Sequence, residues 1–251
     1  MHNTPRLTKR QKRILRQNGE EDLIRKPSFK SENFRLKRVV PLTENQRKTF
    51  EAFDGGQHLM LHGMAGTGKT FISLALAINS LIEEVGQQDR IVIIRSVVPT
   101  RDMGFLPGSH KEKMAVYEAP YYAISTELFG RSDAYDILKN KGAVDFISTS
   151  FVRGITLNNC IVIVDEINNM TFHELDSIIT RIGNNCRIIL CGDFRQSDLT
   201  KEQERNGLKD FMKVVDKLND FTYIEFEQQD IVRSKLVKEY IIAREKLGLQ
   251  P

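Results

Sequence analysis

Eight consecutive residues, Gly63-Met64-Ala65-Gly66-Thr67-Gly68-Lys69-Thr70, carry the most legible chemistry in this chain. They fit G-x-x-x-x-G-K-[ST], the spacing of a phosphate-binding loop. Glycines let backbone N–H groups close around phosphate oxygens, and a helix N-terminus adds its positive dipole end. Lys69 would neutralise the β- and γ-phosphates, and the Thr70 hydroxyl would hold Mg²⁺. Further along, Cys160-Ile161-Val162-Ile163-Val164 runs into Asp165-Glu166. An apolar strand ending in two acids brings a carboxylate to the C-terminal edge of a sheet, where phosphates bind. Asp165 would hold the Mg²⁺ shell, directly or through water, and Glu166 is placed to polarise an attacking water. A third apolar run, Arg187 to Cys191, ends in Gly192-Asp193-Phe194-Arg195-Gln196, a polar turn able to sense the γ-phosphate through Gln196. A Gly-rich helix cap or a solvated acidic turn accounts for either motif alone, but less well for both in this order.

These groups need strands to carry them and helices to cover the strands. Leu59-Met60-Leu61 precedes the loop, and the helical pattern of Phe71 to Ile78 follows it and runs to about Val85. Arg90–Arg95, Val144–Ile147 and Thr222–Phe226 read as further strands. Thr43-Glu44-Asn45-Gln46 fits a capping box opening a helix that runs to about Phe53, and Thr171-Phe172-His173-Glu174 fits a second. Helical patterns also cover 110–129, 207–218 and 235–247. The stretch from Ser96 to Gly108, rich in proline and glycine, reads as a long functional loop. Strands alternate with helices throughout, so the predicted class is α/β with a parallel sheet.

The chain has 251 residues and a net charge of +4. Residues 1–38 hold 12 basic and 4 acidic side chains, or +8, which leaves −4 for the remainder. The basic segment reads as a solvated arm, or as an electrostatic arm for nucleic acid or a neighbouring subunit, with Phe29 and Phe34 as its possible stacking rings. Residues 39–251 read as one catalytic domain. No apolar run is long enough to span a membrane, and no secretory signal is visible. Cys160, Cys186 and Cys191 lack paired metal spacing, read as small core residues, and fit a reducing cytoplasm.

In their order, GMAGTGKT, IVIVDE and GDFRQ resemble the first RecA-like domain of superfamily 1 helicases. More closely, the chain resembles the PhoH family of phosphate-starvation-inducible ATPases. The stretches that carry this are RSVVPTRDMGFLPG (95–108), FVRGITLNNCIVIVDEINN (151–169), TRIG (180–183), GDFRQSDL (192–199) and QQDIVRSKLV (228–237). The resemblance implies a three-layer P-loop NTPase fold of RecA-like type, with ATP and Mg²⁺ as ligands. It assigns Gln46 to the adenine edge, in competition with its capping role. The chain departs from the family at Asn168, where a glutamine is usual. One methylene shorter, Asn168 is expected to reach less far toward the next motif.

P-loop hydrolysis needs a positive charge on the transition state. Two-domain helicases take theirs from a second RecA-like domain, for which this chain leaves no room. The expectation is therefore a finger donated in trans, within a head-to-tail homo-oligomer such as a hexameric ring. Arg233 is the first candidate and Arg153 the second, each with a local ion pair as its alternative. The leading reading is an ATP-driven motor or remodeller on RNA or single-stranded DNA, contacting the strand through the 96–109 loop, with Phe105, Tyr117, Tyr121 and Tyr122 as base-stacking or packing groups. The alternative is an ATP-dependent assembly or binding switch without translocation. A small-molecule kinase has no use for the Gly192–Gln196 turn, and no further acidic constellation points to a nuclease.

Overall fold

Four or more apolar residues in succession leave no polar face, so such strands must be covered on both sides. The computed structural model places them in one six-stranded sheet, and it describes residues 34–84, 86–97, 110–193 and 202–249. The readings for residues 1–33, for the 98–109 loop with Phe105, and for Gln196 lie outside the described residues. The elements are α1 Glu44–Asp54, β1 His58–Gly63, α2 Lys69–Ile82, β2 Arg90–Arg95, α3 His110–Phe129, α4 Ala134–Asn140, β3 Val144–Ser148, β4 Cys160–Asp165, α5 Phe172–Ile179, β5 Arg187–Gly192, α6 Glu202–Val215, β6 Phe221–Phe226 and α7 Lys235–Lys246. The sheet order is β3-β2-β4-β5-β1-β6, and every pairing is parallel. All six strands therefore deliver their C-terminal ends to one edge.

The two-residue period of a strand divides the core. Leu59, Leu61, Ile91, Ile93, Ile161, Ile163 and Ile189 point to one face and pack with Phe53, the α2 residues Ile72 to Leu81, and Tyr121, Leu128, Tyr135 and Leu138. Met60, Val92, Ile94, Cys160, Val162, Val164, Ile188 and Leu190 point to the other and pack with Leu175, Ile178, Leu208, Phe211 and Val215. The result is the expected three-layer α/β sandwich of RecA-like type.

Several expectations need correction. The helix α4 was not anticipated: only Ala134, Tyr135 and Leu138 are buried in its 7 residues, too short a run to show a helical period. The helix predicted over 207–218 runs from Glu202 to Val215, and the one predicted to reach Val85 ends at Ile82. Phe34, read as part of a solvated arm, is a core residue. Its ring stacks on Phe129 with centroids 4.1 Å apart, and Lys37 N donates to Leu128 O. The packed chain thus begins no later than Phe34. The helix α7 buries no residue, and its Leu236 is 76% exposed. No helix among the described residues is long and apolar enough to cross a membrane.

Candidate functional site

Strand β1 ends at Gly63, where φ is 121°, and a Cβ there would lie 2.0 Å from Phe226 O, so only glycine fits. Met64 N donates to the same Phe226 O at 3.0 Å, and Val232 N donates to Gly66 O at 3.1 Å. The loop is thereby pinned to the segment that follows β6. Thr67 Oγ1 donates to Met64 O (2.9 Å), which closes the turn from inside. Gly68, in the left-handed region, hands the chain to α2 at Lys69. Lys69 Nζ curls back over the loop and donates to Gly63 O and Met64 O, both at 2.8 Å. Burial pulls the Lys69 ammonium below its usual value, opposed first by Asp193 and then by Cys191, Glu166 and Asp165.

One strand, β5, separates β1 from the acidic strand β4. The first turn of α2 bridges that gap: Thr70 Oγ1 donates to Asp165 Oδ1 at 2.9 Å. The other oxygen, Oδ2, accepts from the Tyr121 hydroxyl of α3 at 2.8 Å. Asp165 is only 4% exposed. Glu166 follows in the left-handed region at φ 55°, an uncommon conformation for a side chain larger than glycine and one that costs about 1–3 kcal/mol. That turn aims its carboxylate into the same cavity. Burial, then the neighbouring Asp165, pushes the Glu166 carboxyl above its usual range, while Arg95, Lys69 and Asn168 oppose the push.

Asn168 reaches the next motif despite its shorter side chain. Its Oδ1 accepts from Asp193 N at 3.0 Å, directly beyond β5. The gap closes because Gly192 lets the backbones approach; a Cβ there would lie 2.6 Å from Ile167 Cγ1. The expected shortfall at Asn168 is thus removed by close packing.

Gln46 lines the cavity beside Gly68. Its Oε1 accepts from Leu42 N (2.7 Å) and its Nε2 donates to Thr67 O (3.1 Å). The expected capping box is therefore half formed: Thr43 Oγ1 caps Gln46 N, but the glutamine returns to Leu42 N. One amide hydrogen and one carbonyl lone pair remain on the side chain. The box at Thr171 and Glu174 forms in full.

The two arginine candidates separate. Arg233 lies in the cavity of its own chain, its side chain packed over Gly66, where a Cβ would meet Arg233 Cγ at 3.0 Å. Arg233, expected as a finger donated in trans, lies on the wall of its own chain's cavity. Arg153 is exposed, in the loop between β3 and β4, and is not part of the cavity lining.

Two cavity residues, Arg95 and Asp193, were given no role of their own from sequence, and Tyr121, buried behind the cavity, was read only as a stacking or packing group. Arg95 ends β2 in register with Asp165 at the end of β4, and its guanidinium lies 5.9 Å from the Tyr117 ring centroid. Burial pulls its pKa down, but Tyr121, Asp165 and Glu166 together hold it above its usual value. Asp193 shares the cavity with Lys69, and the Tyr121 hydroxyl donates to Asp165. Counting strand ends would have found Arg95 and Asp193; nothing in the sequence distinguishes Tyr121 from its neighbours. The three tyrosines do not form an open stacking platform. Tyr121 is fully buried, Tyr117 lies under Arg95, and Tyr122 packs on Tyr135 and donates to Asp136.

The cavity has a volume of about 630 Å³ and is bounded on one side by Val39, Val40 and Leu42 and on another by Pro120, Ala123 and Ile124. At its floor the donor set is a loop with a cradle only glycine fits, an ammonium, and a hydroxyl–carboxylate pair of hard oxygens. That set fits a nucleotide phosphate with a divalent cation held by Thr70 and Asp165.

Residues 38–245 match the family described as PhoH-like protein. The chain belongs to the PhoH-like family. It is 32% identical over 210 residues to a PhoH-like protein of Mycobacterium leprae (strain TN), covering 83% of this chain and 59% of that one. It is 33% identical over 207 residues to Protein PhoH of Escherichia coli (strain K12), covering 82% of this chain and 58% of that one. This PhoH-like chain thus spans less than two thirds of the length of these relatives. Among solved structures, the large terminase of a thermophilic bacteriophage is similar in fold, with a TM-score of 0.50 at 12% identity, over 80% of this chain and 50% of that one. The fold and the family are those of a P-loop NTPase.

Proposed function

We propose that this PhoH-like chain is a Mg²⁺-dependent ATPase that couples hydrolysis to movement on, or remodelling of, RNA or single-stranded DNA. The observation that carries the reading is the hydrogen bond between Thr70 and Asp165 at the mouth of the phosphate loop, with Glu166 turned into the same cavity. The loop's N–H groups and Lys69 bind the phosphates. Thr70 and Asp165 would hold Mg²⁺, which when bound supplies positive charge to the phosphate oxygens. Glu166 orients a water and takes its proton as the water oxygen attacks the γ-phosphorus and the bond to the β–γ bridging oxygen breaks. Its raised pKa makes it a better base than an ordinary carboxylate. Arg233, on the wall of its own cavity, supplies charge to the leaving phosphates. Gln46, with one donor and one acceptor left, reads the adenine edge, and Gln196 senses the γ-phosphate.

Asn168 links the acidic turn to Asp193 and gives the nucleotide state a route to the turn beyond β5. That route serves a motor, and it serves equally an assembly switch without translocation. The basic residues 1–38 serve as an electrostatic arm for nucleic acid or a neighbouring subunit. A head-to-tail oligomer now rests on Arg153, whose exposed position suits donation to a neighbour's cavity. The test is ATP hydrolysis by the purified chain, with and without RNA or single-stranded DNA, beside Lys69→Ala. Stimulation by the strand supports the motor, unstimulated hydrolysis the switch. Hydrolysis that Lys69→Ala leaves intact overturns the proposal.

A further inference from the structure

We infer that Tyr121 is a positioning residue for the metal–nucleotide site, its hydroxyl holding the Asp165 carboxylate in the orientation that presents Oδ1 to Thr70. This rests on the proposed nucleotide-binding reading. A carboxylate on a single bond turns readily unless both oxygens are engaged. Here each oxygen has one hydroxyl donor: Thr70 from the phosphate-loop helix at 2.9 Å and Tyr121 from α3 at 2.8 Å. The Thr70 hydroxyl is itself one of the groups that would meet the cation. Tyr121 is the donor that remains outside that exchange.

The hydroxyl is not required by packing. The Tyr121 ring is fully buried and rests against Phe146, centroids 5.6 Å apart, and a phenylalanine would fill the same space. A buried hydroxyl without a partner costs stability, and the Tyr121 hydroxyl has as its acceptor the acid of the site. A rival partner for that acid lies close by. Arg95, in register with Asp165, has its Nη1 3.5 Å from Tyr117 O, one turn earlier on the same helix. A guanidinium offers five donors in a fork matched to a carboxylate. Were the Tyr121 bond lost, Asp165 could turn its oxygens toward Arg95 and away from Thr70. Tyr121 thus keeps the acid available to the cation, and it ties the metal site to α3.

The test uses the full chain, a fluorescent N-methylanthraniloyl derivative of ATP, and Mg²⁺ titrated from an EDTA-buffered start. In Tyr121→Phe, binding without Mg²⁺ should stay within about twofold of wild type, while the Mg²⁺ concentration for half-maximal response rises ~5–10-fold, the loss of one hydrogen bond to a charged group. Phe146→Leu disturbs the same ring without touching the hydroxyl and should leave the Mg²⁺ midpoint in place. Thermal melts of both variants report the fold. A Mg²⁺ response equal in wild type and Tyr121→Phe overturns the inference alone, and so does an equal shift in Phe146→Leu. Wild-type binding that ignores Mg²⁺ overturns the underlying reading, and the inference with it.

Discussion

Thr70 Oγ1 and Asp165 Oδ1 lie 2.9 Å apart across 95 positions of sequence. Two motifs that read separately along the chain become one site at this bond, because β1 and β4 end at the same edge of a parallel sheet. Removing the hydroxyl with Thr70→Ala should weaken Mg²⁺-dependent nucleotide binding and lower hydrolysis by about 10²-fold, a change read by phosphate release under saturating ATP.

Glu166 carries the proton transfer in the proposed mechanism. Glu166→Gln keeps the shape of the side chain and removes the base. Turnover should fall by ~10²–10⁴-fold while binding of the fluorescent nucleotide persists. Retained turnover in that variant would assign the base elsewhere.

Arg233 lies in its own chain's cavity, over Gly66. Arg233→Ala should cost about 10³-fold in turnover if it meets the transition state. Mixing Lys69→Ala with Arg233→Ala subunits should restore nothing if, as proposed, each cavity draws both groups from one chain. Recovery in the mixture would return Arg233 to the trans role. The same mixing with Arg153→Ala tests the exposed candidate, and there recovery is the expected outcome.

His58 Nδ1 accepts a hydrogen bond from Ile188 N at 3.3 Å, which requires the neutral ring, and burial lowers its pKa below the usual 6.5. The sign follows from proton uptake. Below about pH 6.5 the unfolded chain binds a proton at this ring before the folded chain does, so stability present above that pH is lost as the pH falls. Urea unfolding at pH 8 and pH 5 should show the loss, and His58→Gln should reduce it.

Cys160 and Cys186 sit with sulfurs 3.6 Å apart at the start of β4 and just before β5. Either thiol of the pair can donate to the other, Cys186 Sγ also donates to Leu157 O at 3.0 Å, and the contact with Cys160 lowers the Cys186 pKa to about 6. Cys186 is also the more exposed of the two. Iodoacetamide at neutral pH, mapped by mass spectrometry, should label Cys186 first, with buried Cys191 labelled only after denaturation.

Much of this molecule was written locally. The inner strands β2, β4 and β5 announced themselves because a strand buried on both faces must be apolar along its length. The phosphate loop did so because its glycines have no substitutes: Gly63 faces Phe226 O with no room for a Cβ. The cap at Thr171 depends only on residues three apart, and it formed as read. What the sequence left open depends on distant partners. The direction of Arg233, the closing of the gap at Asn168, the burial of Phe34 and the bond from Tyr121 to Asp165 all join residues far apart in the chain. Local pattern determines which element a residue belongs to and which face it occupies. Only the packing of α3 and the β6–α7 segment against the sheet edge decides which side chains share a cavity, since a through-space distance leaves no period in the sequence.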